Sequence, residues 1–406
     1  MKGRKKKERE MLSYEDKPIE EYERDEKNKS EKNILPKGKV KIIIIIAVVL
    51  VVAVGGFSVW KYISPDALQG SLASGKVTGN DFPVEIAGKT VKESDAFVLN
   101  NNLAYISETQ FQVINSSGGL VVDKRIKYAS PAVMSSGNYA IIYDREGTGY
   151  EIETASGTVY EGDADDDIFS ATILKNGSYA ILSKKSGYTA KLTVFNKDNT
   201  QKYAYYFSEC CTTAVSLNSD ATKAVVCGLD AESGSIISRI YVLDFTKEEP
   251  VAKVYFKNST IYDVSFLPNG NIAAVGDTSS IIITSDYQNK YEFTYNGYNL
   301  TSKVITDDGI FLSLSPFTDG KSCEIWRISQ NGITTTTKTG LTTNSMAVNE
   351  NIVAVLSNNK ITTFNTEAEE TLKEYDAGID AKSILFLDSK TIYVVGTSEI
   401  RKVEIN

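Results

Sequence analysis

The sequence predicts an all-β protein: an eight-bladed β-propeller closed by an N-terminal strand and preceded by one transmembrane helix. Three observations predict it. A strand–turn–strand unit recurs eight times, its spacing is nearly constant, and one strand without a unit of its own precedes the series.

Each unit is a short apolar strand, a tight polar turn and a strongly apolar second strand. It reads AFVLNNNLAYI (96–106), PAVMSSGNYAIIY (131–143), SATILKNGSYAIL (170–182) and TAVSLNSDATKAVV (213–226). It continues as YDVSFLPNGNIAAV (262–275), TSKVITDDGIFLSL (301–314), NSMAVNENIVAVL (344–356) and KSILFLDSKTIYVV (382–395). Second strands start at Leu103, Tyr139, Tyr179, Lys223, Ile272, Ile310, Ile352 and Ile392, so the steps are 36, 40, 44, 49, 38, 42 and 40 residues. Propeller blades repeat at roughly 40–50 residues. Seven blades is the alternative if the weaker first or seventh unit is misread. A β-sandwich needs no eightfold period.

A third strand follows every unit, from FQVIN (111–115) to EIRKVEI (399–405), and a more polar fourth strand follows seven of them. The first two strands of each unit are nearly all apolar, which predicts burial on both faces. The third and fourth alternate, which predicts half-exposed outer strands. The eighth unit ends after three strands, while the Phe82–Lys89 stretch is a strand in want of a blade. Pairing the two closes the ring and leaves no long edge open.

Ahead of the propeller (81–406) the chain divides into a charged tail (1–41), an apolar span (42–60) and a polar stalk (61–80). The span runs from Ile42 to Trp60 without a charge, 19 residues. At 1.5 Å per helical residue it reaches about 28 Å, close to a bilayer core. Seven Lys and Arg lie in the 20 residues before it and two in the 20 after. The positive-inside rule therefore places the N-terminus in the cytoplasm and the propeller outside the cell membrane. A cleaved signal peptide is the runner-up, but its apolar core is normally shorter and ends in an A-x-A-like site. Here the exit reads Val54-Gly55-Gly56-Phe57-Ser58. The tail is too polar to offset its ordering entropy by burial, which predicts disorder.

The chain of 406 residues contains no histidine. That removes Ser-His-Asp and Cys-His nucleophiles, His-ligated zinc and haem, and the commonest general base at neutral pH. There is no Walker loop or dinucleotide glycine fingerprint, and no cofactor is expected. Residues 42–406 carry a net charge of −12, which argues against a nucleic-acid partner.

The anchor, the polar stalk and the KNGSYAIL- and LPNGNIAAV-type units together resemble an uncharacterised family of Gram-positive, single-pass membrane-anchored propellers. The resemblance covers residues ~40–406, rests on architecture, and implies location and fold but no activity. The likeness to WD-repeat and quinone-binding propellers is in fold only. The Gly-His and Trp-Asp pairs of the former are missing, and Trp60 and Trp326 are too few for the docking motif of the latter.

Connections from strand four to the next strand one share a face with those from strand two to strand three. Glu161, Glu209, Thr260, Tyr298 and Asn299 are the candidate binding residues on that face. The run Asp163, Asp165, Asp166, Asp167 is the candidate metal site, since calcium wants clustered carboxylates; it lacks the EF-hand order, and a solvated acidic loop is the plainer reading. Strand pairing through the Asn218–Lys223 turn brings Cys227 near residues 211–214, so a disulfide from Cys210 or Cys211 to Cys227 is geometrically feasible. Functionally, the sequence favours a non-enzymatic binding or scaffold module that engages an envelope protein or wall-associated partner. A carboxylate-dependent hydrolase or lyase and a ligand sensor are the alternatives.

Overall fold

The computed structural model describes residues 81–88, 91–257 and 259–405. The tail (1–41), the span (42–60) and the stalk (61–80) lie outside the described residues. Among the described residues no helix is long and apolar enough to cross a membrane.

The described chain is all β, with 32 strands in eight four-stranded antiparallel sheets. Blade 1 comprises β2 (Val91–Leu99), β3 (Asn102–Ser107), β4 (Gln110–Ile114) and β5 (Leu120–Arg125). Blade 2 comprises β6 (Pro131–Ser136), β7 (Tyr139–Asp144), β8 (Gly149–Thr154) and β9 (Gly157–Asp163). Blade 3 comprises β10 (Ile168–Ile173), β11 (Tyr179–Lys185), β12 (Tyr188–Phe195) and β13 (Gln201–Phe207). Blade 4 comprises β14 (Cys211–Leu217), β15 (Lys223–Glu232), β16 (Ser235–Asp244) and β17 (Ala252–Lys257). Blade 5 comprises β18 (Ile261–Phe266), β19 (Ile272–Gly276), β20 (Ser279–Ile283) and β21 (Lys290–Thr294). Blade 6 comprises β22 (Asn299–Thr306), β23 (Gly309–Ser315), β24 (Glu324–Ser329) and β25 (Thr334–Lys338). Blade 7 comprises β26 (Ser345–Asn349), β27 (Ile352–Ser357), β28 (Lys360–Asn365) and β29 (Glu370–Asp376).

Blade 8 consists of β30 (Ser383–Asp388), β31 (Thr391–Val395), β32 (Glu399–Glu404) and, from the other end of the chain, β1 (Val84–Glu85). Val84 pairs with Ile400 and Glu85 with Glu399, and the Ile86 amide donates to the Ser398 carbonyl at 2.8 Å. The expected ring closure is therefore present, and the blade count is eight. The closing strand is shorter than expected, two residues rather than eight.

The core is distributed around the ring. Eight apolar clusters of described residues each join two neighbouring blades, one per seam. The cluster of Ile86, Val91, Leu103 and Tyr105 with Tyr393, Val395 and Ile400 fills the seam where the ring closes. Apolar burial at every seam gives the ring its stability, at roughly 1.5–3 kcal/mol per fully buried Ile, Val or Leu.

One expectation about strand burial needs correcting. The most buried strands are the second and third, such as β19, β20 and β31, which are buried at every residue. First strands are half-exposed, as in β22 and β2. They are the innermost strands, in contact with one another around the ring, and the centre they face gives them no further layer to pack against. Apolarity alone does not distinguish a strand between two layers from one beside a channel.

Candidate functional site

The upper face, formed by connections from strand four to strand one and from strand two to strand three, is built in part by polar clasps. Asp144 ends β7 and accepts from the Ser130 amide at 2.8 Å; Asp277 follows β19 and accepts from the Thr260 amide, also at 2.8 Å. Around the ring Asp380 accepts from the Thr397 amide at 2.9 Å. In each case a carboxylate fastens a strand-four exit to the neighbouring hairpin, satisfying a backbone donor that no strand pairs.

A cleft of about 430 Å³ opens on this face over blade 5 where it meets blade 6. Among the described residues, the innermost strands of these two blades, β18 and β22, approach each other less closely than do the other neighbouring pairs. The wider seam leaves the space. Tyr262 is the second residue of β18, Asp277 and Thr278 form the β19–β20 turn, Thr294 ends β21 and Tyr295 follows it. Gly297, Tyr298, Asn299 and Leu300 lead into β22 and complete the wall. Gly297 has φ +87°, which favours glycine, and a side chain there would project into open space.

Tyr295 is the buried anchor of this wall. Its hydroxyl lies 2.7 Å from Ser280 Oγ and donates to the Gly276 carbonyl at 3.2 Å. Tyr262 is 39% exposed and offers its ring to the cleft. Burial, with Asp263 and Asp277 nearby, pushes its hydroxyl up to about 12, so the phenol is neutral at physiological pH. Below the ring, Lys303 of β22 forms an ion pair with Asp263 of β18, and its ammonium lies 5.6 Å from the Tyr262 centroid. Asp277 uses Oδ1 for the Thr260 amide and for Ser259 Oγ at 3.3 Å, while its other oxygen takes no hydrogen bond from a described residue.

Of the five residues expected on the binding face, the structure brings three together. Tyr298 and Asn299 line the cleft, and Thr260 supports it through the bond from its amide to Asp277. Glu161 is not in a loop but in β9, where it pairs with Lys127 at 3.3 Å. Glu209 sits at the blade 3–blade 4 connection and accepts from Lys253 at 3.1 Å, Tyr241 at 3.0 Å and Arg239 at 3.4 Å. These partners hold its carboxyl below the usual range.

The acidic run is matched by lysines of blade 3. Asp165 pairs with Lys191 at 3.2 Å, Asp166 with Lys185 at 3.5 Å and Asp167 with Lys184 at 2.7 Å, while Asp163 accepts from Thr148 at 3.0 Å. Among the described residues no group of carboxylates and thiols is arranged to hold a metal ion. The proposed disulfide is likewise not formed, since all four cysteines are free. Strand pairing does place Ala214 opposite Cys227 and Leu229 opposite Cys211. The Cys227 thiol, however, is buried against blade 5 and donates to the Ile261 carbonyl at 3.0 Å, whereas Cys211 is exposed.

Sequence reasoning missed Tyr262, Asp263 and Lys303, because a Tyr-Asp pair heading a strand and a lysine 40 residues later carry no local signal. It also missed a buried charge cluster at the blade 1–blade 2 seam. Lys124 of β5 lies 2.5 Å from Glu151 and 2.8 Å from Glu153 of β8, and Thr158 donates to Glu153 at 2.7 Å. Burial pushes both glutamates up, and the half-buried Lys124, set between the two carboxylates, is raised by them against its own desolvation.

Solved structures resemble the chain in fold, a WD40 domain among them. The computationally designed Ika8 protein matches with a TM-score of 0.55 at 11% identity, over 80% of this chain and 100% of that one. The C-terminal WD40 domain of Sif2 matches with a TM-score of 0.55 at 14% identity, over 79% and 100%. Sqt1 of Saccharomyces cerevisiae matches with a TM-score of 0.53 at 11% identity, over 80% and 100%. At these identities the likeness concerns the fold alone. No curated protein sequence matches the chain. Residues 83–405, the propeller from its closing strand to its last, match the model of a family of unknown function, and the chain belongs to it: DUF5711.

Proposed function

We propose that this protein is a non-enzymatic binding or scaffold module of the cell envelope, held at the membrane by residues 42–60 with the propeller outside. Its partner, an envelope protein or wall-associated component, docks on the upper face around the cleft over blade 5. The observation that carries this reading is the composition of that cleft. It presents Tyr262, Tyr298 and Asn299 around Asp277, whose Oδ1 is engaged by the Thr260 amide. Binding sites combine aromatic surface with a few oriented polar groups in this manner.

A hydrolase needs two carboxylates converging on one accessible point. Among the described residues lining the cleft Asp277 is the one carboxylate, and the nearby Asp263 is paired with Lys303. The closely spaced pair, Glu151 and Glu153, is buried beneath Lys124 in another seam. The membrane address rests on the uncharged run from Ile42 to Trp60 and on the excess of basic residues before it.

The test is crosslinked recovery of the full-length protein from its native cell, beside the double variant Tyr298→Ala, Asn299→Ala. The expected result is an envelope component recovered with the parent protein and lost with the variant. Equal recovery by both, or turnover of a wall glycan by the purified protein, would contradict the reading.

A further inference from the structure

We propose that the cleft over blade 5 receives a cationic side chain, a lysine or arginine of the partner, between the Tyr262 and Tyr298 side chains and the Asp277 carboxylate. This rests on the cleft being the docking site and names the chemistry it selects.

Charge is the first argument. The described residues lining the cleft include one carboxylate, Asp277, and no lysine or arginine. The nearby ammonium of Lys303 is already neutralised by Asp263. Among the described residues the site is therefore left with an uncompensated negative charge and with phenol oxygens, which suits a cation and repels an acid. Asp277 also keeps one oxygen without a hydrogen bond from a described residue.

The second argument is that the protein already makes this kind of contact beside the cleft. The Lys303 ammonium sits against the Tyr262 ring at 5.6 Å and pairs with the Asp263 carboxylate. An aromatic ring together with a carboxylate thus holds a lysine of the chain itself. Tyr262 remains 39% exposed on the cleft, and Asp277 follows the neighbouring strand. A second ammonium or guanidinium at this position would repeat the arrangement with a partner's residue. Cation–π attraction and a charge-assisted hydrogen bond would act together there.

Size is the third argument. About 430 Å³ admits one long side chain with its neighbouring backbone. Gly297 keeps one wall free of any side chain, with no atom within 4 Å of the position a Cβ would take. A neutral glycan would also use aromatic surface, and it is the competing ligand to be distinguished.

The test titrates the full-length protein with acetylated pentalysine amide, with its norleucine analogue and with a tetramer of N-acetylglucosamine, following tyrosine fluorescence. Pentalysine is expected to bind, and the norleucine peptide and the tetrasaccharide are not. Asp277→Asn, which preserves the acceptor for Thr260, is expected to weaken pentalysine about tenfold, the loss of about 1.4 kcal/mol. Tyr262→Leu is expected to weaken it in the same direction. Asp220→Asn, which removes one charge on the opposite face, is expected to leave it unchanged, separating the cleft from general acidity.

Absence of pentalysine binding, or equal weakening by Asp277→Asn and Asp220→Asn, would overturn the proposal. So would binding of the tetrasaccharide or the norleucine peptide that Tyr262→Leu abolishes, although that outcome would leave the cleft as the docking site. Recovery of a partner that is insensitive to Tyr298→Ala, Asn299→Ala would instead remove the docking site itself.

Discussion

At the scale of single residues, the cluster at the blade 1–blade 2 seam makes its own pH-dependent contribution to stability. Glu153 is 0% and Glu151 4% exposed, and one oxygen of each has no hydrogen-bond partner among the described residues. Two carboxylates share one ammonium, with Thr158 as their other side-chain donor among the described residues. Burial raises both carboxyls, so their protonated forms favour the fold. Their contribution to stability is complete below the unfolded carboxylate value of about 4.3 and declines as pH rises through the raised native values. Lys124 is raised as well, and its contribution is lost only above the ordinary lysine range. Urea unfolding should therefore give a larger stability contribution from this cluster near pH 5 than near pH 8, and Glu153→Gln should flatten that dependence. Lys124→Met leaves both carboxylates buried without a counter-charge and should cost about 3–5 kcal/mol at pH 8. A flat profile in the parent protein would show that the cluster does not hold a proton.

The cysteines give a second test at this scale. Cys211 is exposed and the other three are buried, with burial pushing the Cys227 thiol up to about 12. A thiolate is the reactive form. Brief iodoacetamide treatment of the folded protein should label Cys211 alone, read by peptide mass spectrometry. Protection of Cys211 that is reversed by a reductant would indicate a disulfide.

At the scale of elements, buried hydroxyls stitch one blade to the next where no sheet hydrogen bond can. Ser238 of β16 donates to the Ser259 carbonyl at 2.7 Å and accepts from the Ile261 amide at 2.8 Å, joining blade 4 to the inner strand of blade 5. Ser345 of β26 accepts from the Ile384 amide at 3.2 Å across the next-to-last seam. Ser313 and Thr343 meet at 2.7 Å between blades 6 and 7, and Tyr150 meets Tyr179 at 3.2 Å between blades 2 and 3. These contacts and the aspartate clasps of the upper face do the wiring that the missing Gly-His and Trp-Asp pairs would do in a WD-repeat blade. Ser238→Ala strands a buried carbonyl and a buried amide and should cost about 1–3 kcal/mol in chemical denaturation. A loss below 0.5 kcal/mol, an estimate within the range of an ordinary surface change, would show that the seam closes over the gap.

The blade period was legible because second strands such as IAAVG and TIYVV, buried at every residue, must be apolar throughout. Their turns are equally plain: Asn100, Asn101, Asn199, Asn358 and Asn359 take positive φ, as their side chains tolerate. The cleft was only partly legible. Tyr298 and Asn299 could be placed on the face that carries the cleft by connectivity, but the space beside them comes from the wide β18–β22 seam, a property of packing between blades. Lys124 and its glutamates were hidden for a related reason, since they meet across a seam at separations of 27 and 29 residues.

At the scale of the whole molecule, the ring is held closed by both ends of its chain. β1 gives β32 its partner, and the Ala87 amide donates to the Tyr105 hydroxyl at 2.9 Å, fastening the closing segment to blade 1. Removing residues 1–88 should expose β32 as an open edge, while removing residues 1–80 should not. The longer deletion is expected to melt at lower temperature and to associate, as an unpaired edge invites strand addition. Equal melting and a monomeric state for both deletions would show that the apolar seam alone closes the ring.

The closed ring leaves its faces as the surfaces available to a partner, and the proposed docking site lies on the upper face at blade 5. The most direct measurement is site-specific photocrosslinking in the native cell, with the photoreactive residue at position 298 or, on the opposite face, at position 333. Ile333 is 69% exposed, more than the half-buried Tyr298, so a lack of adducts from position 333 would not reflect poorer access. Adducts to a discrete partner from position 298, absent from position 333, are the predicted result. Adducts from position 333 alone, or the same products from both positions, would contradict the account.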